Sequence, residues 1–226
     1  MSFPNGIRAV LFDLDGTLAD TAADLGLALN LLLTEYGKTS LPIAICRKHA
    51  SSGARGLIQA GFGIAAEAPE YLKLKDRFLE LYGNNICVKT KLFPGIPQLL
   101  DALEERSIPW GIVTNKAARF TTPLVSALGL AARACCVISG DTTPYSKPHP
   151  APLLCAAELI RIEPEACLYI GDDLRDVQAA RAAGMPVLAA GFGYLGDAGD
   201  PSGWGADAVI EKPTDILNFL DTSPSV

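Results

Sequence analysis

Ala9-Val10-Leu11-Phe12-Asp13-Leu14-Asp15-Gly16-Thr17 is the stretch from which the fold can be read. Four apolar residues run without a break and stop at an acid, the pattern of a strand buried on both faces of a parallel sheet. Similar runs recur downstream. Trp110 to Val113 stops at Thr114, Cys135 to Ile138 follows, and Cys167 to Ile170 stops at Gly171-Asp172. Pro186 to Ala190 and Ala208 to Ile210 add two more. Helix-like stretches separate them over Ile96 to Glu105, Arg119 to Leu128, Pro152 to Ile160 and Leu174 to Ala183, and Gly129 and Gly184 stand where two of these helices would close. Strand alternating with helix predicts an α/β fold, a Rossmann-like parallel sheet with helices on both faces.

Between about 21 and 85 the alternation stops. Leu25, Leu29, Leu32 and Tyr36 recur at helical spacing, and Leu57, Ile58, Tyr71, Leu72, Phe78 and Leu81 continue the helical character without a strand pattern. The expected organisation is an α/β core over 1–20 and 86–226 with an all-helical cap over 21–85 inserted after the first strand. Its hinges are expected at 18–21 and 84–94, and the last residues, 222–226, are expected to fray.

Composition narrows the function. A chain of 226 residues, 49% hydrophobic and 19% charged, can build a sizeable core and is not a disordered chain. Its net charge of −6 argues against a nucleic-acid partner. No apolar run approaches the roughly 18 residues of a membrane span, and the first residues lack the basic start and apolar core of a signal peptide. A cytoplasmic protein is expected, as monomer or homodimer. The six cysteines show no CxxC spacing and read as reduced, mostly buried thiols, while two histidines are too few for a histidine-rich metal site. No Gly-x-Gly-x-x-Gly pattern marks a dinucleotide site.

The chemistry gathers at the strand ends, where open α/β sheets bind ligands. Asp13 and Asp15 stand one residue apart in a turn and repel each other, so a cation or a donor network is expected beside them; helix-capping acids in a turn would show the same spacing. Gly171-Asp172-Asp173-Leu174-Arg175-Asp176 follows a second strand and opens a helix, where Asp173 and Asp176 also suit the first turn. Carboxylates converging without histidine or thiolate suit a hard ion, Mg²⁺ first. Thr114 and Asn115 end another strand, offering a hydroxyl and backbone amides to phosphate oxygens. Lys147, in Ser146-Lys147-Pro148-His149-Pro150, precedes a helix and can neutralise both Asp13 and a transferring group.

Acid, hydroxyl, lysine and acids in this order resemble the motifs of the haloacid dehalogenase superfamily over about 8–220. The resemblance implies Asp13 as nucleophile, Asp15 as general acid and base, and Lys147 as the catalytic cation. It implies Mg²⁺ on Asp13, the Asp15 carbonyl and Asp172, supported by Asp173 or Asp176. A magnesium-dependent phosphomonoesterase working through an aspartyl-phosphate follows. Asp15 argues against dehalogenation, since halide leaves without a proton, and Lys38 and Lys48 sit in no pattern of a Schiff-base hydrolase. Ser51-Ser52-Gly53-Ala54-Arg55-Gly56 resembles the cap segment that sets specificity in this family, with Ser52, Gly53 and Arg55 as candidate substrate contacts and Arg55 suited to a carboxylate.

The layout resembles phosphoglycolate phosphatases. Ser-Gly-Ala-Arg in the cap, Trp110 to Lys116, and Trp204-Gly205-Ala206-Asp207 resemble N-acetylmuramic acid 6-phosphate phosphatases. Both substrates are small phosphorylated metabolites bearing a carboxylate. A sugar phosphomutase and a catalytically silent binding protein with this fold are the alternatives, and Thr17 leans toward a phosphatase. Trp110 and Trp204 read as packing residues before ligands.

Overall fold

The computed structural model describes residues 3 and 6–220, and the fraying expected over 222–226 lies outside them. Six strands form one sheet in which every neighbouring pair is parallel. β1 (Ala9–Phe12) is flanked on one side by β4 (Trp110–Val113) and then β5 (Val137–Ile138). On its other side lie β6 (Cys167–Gly171), β7 (Val187–Ala190) and β8 (Ala208–Ile210). The chain moves outward from β1 through β4 and β5, then crosses back to β6. That reversal puts the switch point, and the crevice it opens, at the carboxyl ends of β1, β4 and β6.

All four residues of β1 are fully buried, because both faces of the sheet are covered. Alternation along the strands sorts the core into two clusters. Ala9, Leu11 and Tyr169 pack with α7 (Ala151–Ile160) and α8 (Leu174–Ala182). Val10, Phe12 and Ile170 share a cluster with α5 (Ile96–Glu105) and α6 (Ala118–Ala127). The strand read from Cys135 begins only at Val137, since just Val137 and Ile138 have register partners on β4. Cys135 is exposed at this sheet edge, and Cys46, Cys136 and Cys167 alone are buried, so the thiols are less buried than the sequence suggests; all six are free.

Four helices fill the interval after β1: α1 (Ala22–Glu35), α2 (Ile43–Ala50), α3 (Gly53–Phe62) and α4 (Tyr71–Gly83). Leu25, Leu29 and Leu32 meet Leu57, Ile58, Phe78 and Leu81 in the same cluster that holds Val10 and Phe12. Leu72, one residue round the helix from buried Tyr71, faces solvent, and Tyr36 lies edge-on to Phe62 outside that core. Among the described residues no helix is long and apolar enough to cross a membrane.

The two connections to these helices contain strands too short to read from sequence. β2 (Ala19–Asp20) pairs antiparallel with β3 (Lys91–Leu92), so the outgoing and returning segments run side by side. Asp24, fully buried in the first turn of α1, clamps the returning segment. Its carboxylate accepts from Lys89 N–H at 2.9 Å, Thr90 N–H at 2.9 Å and the Thr90 hydroxyl at 2.7 Å. Asp24→Ala strands these donors and is expected to lower the unfolding free energy in urea by about 3 kcal/mol. A loss under about 1 kcal/mol would mean that water replaces the carboxylate at little cost.

Candidate active site

Asp13 prolongs β1 by one residue. Its N–H donates to Ile170 O at 2.9 Å, which sets the carboxylate at the carboxyl end of the central strand. Thr114 is held past β4 in the same way, by its N–H on Ile138 O at 2.9 Å. Asp172 follows β6 directly and is buried. The Thr17 hydroxyl donates to its Oδ1 at 3.1 Å and the Tyr194 N–H to its Oδ2 at 2.8 Å. Gly16 makes this approach possible: its φ is +87°, and a Cβ there would run into the Asp172 carboxylate.

Lys147 is 4% exposed and its Nζ has four oxygens around it. It donates to Val113 O at 3.0 Å, Tyr169 Oη at 2.9 Å and Asp176 Oδ1 at 2.6 Å. An ammonium has three protons, and these three acceptors use them. Asp13 Oδ1 lies 2.9 Å away as a fourth neighbour, in charge contact but out of line for a hydrogen bond, and it is a buried oxygen with no hydrogen-bond partner. Burial works against the Lys147 charge, but Asp13 and Asp176 outweigh it and raise its pKa.

Asp13, Asp172 and Asp176 each bring a carboxylate oxygen within 4.8 Å of the others. Burial, then the charges of Asp13 and Asp176, push the Asp172 carboxyl well above its ordinary range. Burial also outweighs the Lys147 ammonium and lifts Asp176 to about 6. Three crowded oxygen donors, one of them orphaned, fit a hard divalent cation. Of the two support candidates, the structure brings only Asp176 into this group. Asp173 instead caps α8, accepting from Arg175 N–H at 2.9 Å and pairing with its guanidinium at 2.8 Å, while Asp176 Oδ2 accepts the Asp173 N–H in return. The Asp15 side chain is not among these three acids and pairs instead with Lys116 at 2.9 Å.

These groups floor a cavity of about 480 Å³ roofed by the helices after β1. Ser52, Gly53, Arg55, Thr114 and Asn115 all line it. Arg55 sits on the rim with its side chain 73% exposed, 4.0 Å from Glu67. The Asn115 amide is already engaged: it donates to Lys147 O and accepts from Lys147 N–H, both at 2.9 Å, so its side chain fixes the lysine loop rather than standing free for substrate. Tyr71, Phe78, Tyr82 and Phe120 give the cavity an apolar wall that the sequence did not announce. Ser51 and Arg175 were missed as well; the Arg175 guanidinium donates to Ser51 O at 2.8 Å, joining the α2–α3 turn to the site. Trp110 and Trp204 are buried, with indole N–H groups on Glu104 and Ala198 O, and line no part of the cavity.

The family model for haloacid dehalogenase-like hydrolases matches residues 10–190. The chain belongs to this family. It is 38% identical over 215 residues, 95% of each chain, to an N-acetylmuramic acid 6-phosphate phosphatase of Pseudomonas aeruginosa. It is 43% identical over 218 residues, 96% of each chain, to a phosphoglycolate phosphatase of Xanthomonas campestris pv. campestris. Among solved structures, that of a predicted phosphoglycolate phosphatase from Haemophilus somnus matches with a TM-score of 0.83 at 27% identity, covering 94% of this chain and 97% of that one. This haloacid dehalogenase-like hydrolase is therefore a phosphoric monoester hydrolase, as the names of its relatives agree.

The acid cluster makes stability depend on pH with a defined sign. Asp172 and Asp176 have folded pKa values above the ordinary 3.8, so their contribution is present below that value and is lost as pH rises through the folded values, about 6 for Asp176. Lys147 stays charged throughout this window. Metal-free protein is expected to melt at progressively lower temperature between pH 4.5 and 7.5, and added Mg²⁺ is expected to raise the melting temperature at pH 7.5 far more than at pH 4.5. A Mg²⁺ effect independent of pH would argue against binding at these acids.

Proposed function

We propose that this phosphatase hydrolyses a carboxylate-bearing phosphate monoester through an aspartyl-phosphate on Asp13. One observation carries the reading: Asp13 Oδ1 stands at the cavity floor with the Lys147 charge 2.9 Å away but no hydrogen bond to occupy it. A carboxylate oxygen that is charge-stabilised yet unbonded suits in-line attack on phosphorus. The Thr114 hydroxyl and the Asn115 N–H hold the phosphate oxygens, and Lys147 balances their charge. Asp13, the Asp15 carbonyl and Asp172, with Asp176 behind them, would hold Mg²⁺, which supplies positive charge against the phosphate when bound. As the Asp13–phosphorus bond forms, the ester P–O bond breaks and Asp15 gives the leaving alkoxide its proton. Asp15 then takes a proton from the water that cleaves the acyl-phosphate, releasing phosphate and free Asp13.

The two named activities of the relatives point to different substrates, and the cavity favours the larger. About 480 Å³ lies in the range that holds drug-sized ligands, far more than a two-carbon ester fills. Its apolar wall suits a sugar ring, and Arg55 on the rim suits a lactyl carboxylate. N-acetylmuramic acid 6-phosphate is therefore our preferred substrate over 2-phosphoglycolate. The segment 21–85 acts in this reading as a cap that closes over the substrate, and six free thiols accord with work in the cytoplasm. No observation favours the phosphomutase or the silent binding protein.

In one assay, kcat/KM for N-acetylmuramic acid 6-phosphate is expected to exceed that for 2-phosphoglycolate by about tenfold or more. The reverse order, or dominance of a third ester, would sink this choice of substrate. Asp13→Asn is expected to lower kcat about a thousandfold, and chelation to abolish turnover until Mg²⁺ is restored. Arg55→Ala should raise KM for the carboxylated ester well above any change with p-nitrophenyl phosphate; equal changes would make Arg55 structural.

A further inference from the structure

Lys116 follows Thr114 and Asn115, and its backbone is fixed on both sides. Its N–H donates to Thr114 Oγ1 at 3.2 Å, while its carbonyl accepts from Gly140 N–H at 2.8 Å and from the Thr121 hydroxyl at 2.9 Å. From that stem Nζ reaches both oxygens of Asp15, at 3.0 and 2.9 Å, with side chains only 8% and 18% exposed, and the Thr21 hydroxyl donates to Asp15 Oδ1 at 2.5 Å beside it. Above Nζ stands the Tyr82 ring, its centroid 4.7 Å away. Tyr82 belongs to α4, is 1% exposed, packs on Phe120 at 5.5 Å and carries a buried hydroxyl with no hydrogen-bond partner.

A desolvated ammonium is costly without compensation. Asp15 supplies the opposite charge, and the negative face of the ring supplies more. By excluding water, the ring also lowers the local dielectric and tightens the ion pair. The carboxylate so gripped is the one assigned the two proton transfers, and the ring that covers the grip comes from the helices after β1.

We propose that Lys116 is the positioning residue for Asp15, and that Tyr82 completes the device, so that the acid–base carboxylate is oriented for proton transfer only while α4 covers Lys116. This rests on the reading of Asp15 as acid and base. It makes closure of the helices and readiness of the acid one event: with α4 lifted, water reaches Nζ, the grip of Lys116 loosens and Asp15 is left with the Thr21 hydroxyl alone.

Leaving-group dependence separates positioning from packing. An alkyl alkoxide needs a proton to depart, whereas p-nitrophenolate does not. Lys116→Met is expected to lower kcat for N-acetylmuramic acid 6-phosphate about 100-fold and for p-nitrophenyl phosphate less than about tenfold, with KM for each changed by less than about threefold. Tyr82→Leu should give the same selectivity with a smaller loss, about tenfold on the alkyl ester, and Lys116→Arg should recover part of the lost rate. Asp15→Asn, run beside them, tests the foundation: if its loss does not depend on the leaving group, the assignment of Asp15 fails. If Asp15→Asn is selective but Lys116→Met slows both esters equally, Lys116 only packs and the proposal is overturned. Should the methionine variant not melt cooperatively, Lys116→Arg decides, a selective loss supporting the proposal and an equal loss overturning it.

Discussion

The Nζ of Lys147 ties together three adjacent strands and the start of a helix. Val113 O closes β4, Tyr169 stands in β6, Asp176 lies in the first turn of α8, and Asp13 extends β1. Because the first three take all its protons, the fourth is left with charge and no bond. The same ammonium thus stabilises the crevice and, in the proposed mechanism, leaves one oxygen of Asp13 available to react. Neither half can be deleted singly, since a buried pair that loses one partner leaves an uncompensated charge worth several kcal/mol. Asn115, by fixing the backbone of Lys147 with two hydrogen bonds, sets where that charge stands.

The protein carries a net charge of −6, yet its cavity gathers Lys116, Lys147, Arg119 and Arg175 around the carboxylates. Attraction of an anionic ester is consequently a local matter, decided inside the crevice rather than by the field of the whole surface. The burial that raises Asp172 and Asp176 makes the acids compete for one compensating charge, which a divalent cation would satisfy more fully than Lys147 alone.

Much of this was legible in the chain because the strands of a parallel sheet are buried on both faces and so read as unbroken apolar runs. Three of the runs end at residues of the crevice, Asp13, Thr114 and Asp172, which could be placed by that rule alone. Spacing could not separate Asp173 from Asp176, since both stand in the first turn of α8; the capping box decides, using the side chain of one to close the helix and turning the other inward. Asn115 lines the cavity, but its tie to the Lys147 loop could not be read, because engagement of an amide by a distant loop leaves no trace in local sequence. Lys116 stayed silent for the opposite reason: a lone lysine in a loop reads as solvated until a ring from a remote helix is folded over it. The β2–β3 ribbon has two residues per strand, too few to show any period.

That ribbon has a consequence for how such a chain can diversify. The segments leaving and re-entering the sheet are hydrogen-bonded neighbours, Ala19 opposite Leu92 and Asp20 opposite Lys91. Whatever is strung between them starts and finishes at one place, so its length enters the entropy of closure only logarithmically. The floor that holds Asp13 and Lys147 is insulated from the size of its roof. Helices can be lengthened, exchanged or reshaped between these two points without moving Asp13 relative to Lys147, so that in the proposed reading the choice of substrate can drift while the chemistry beneath it stays fixed.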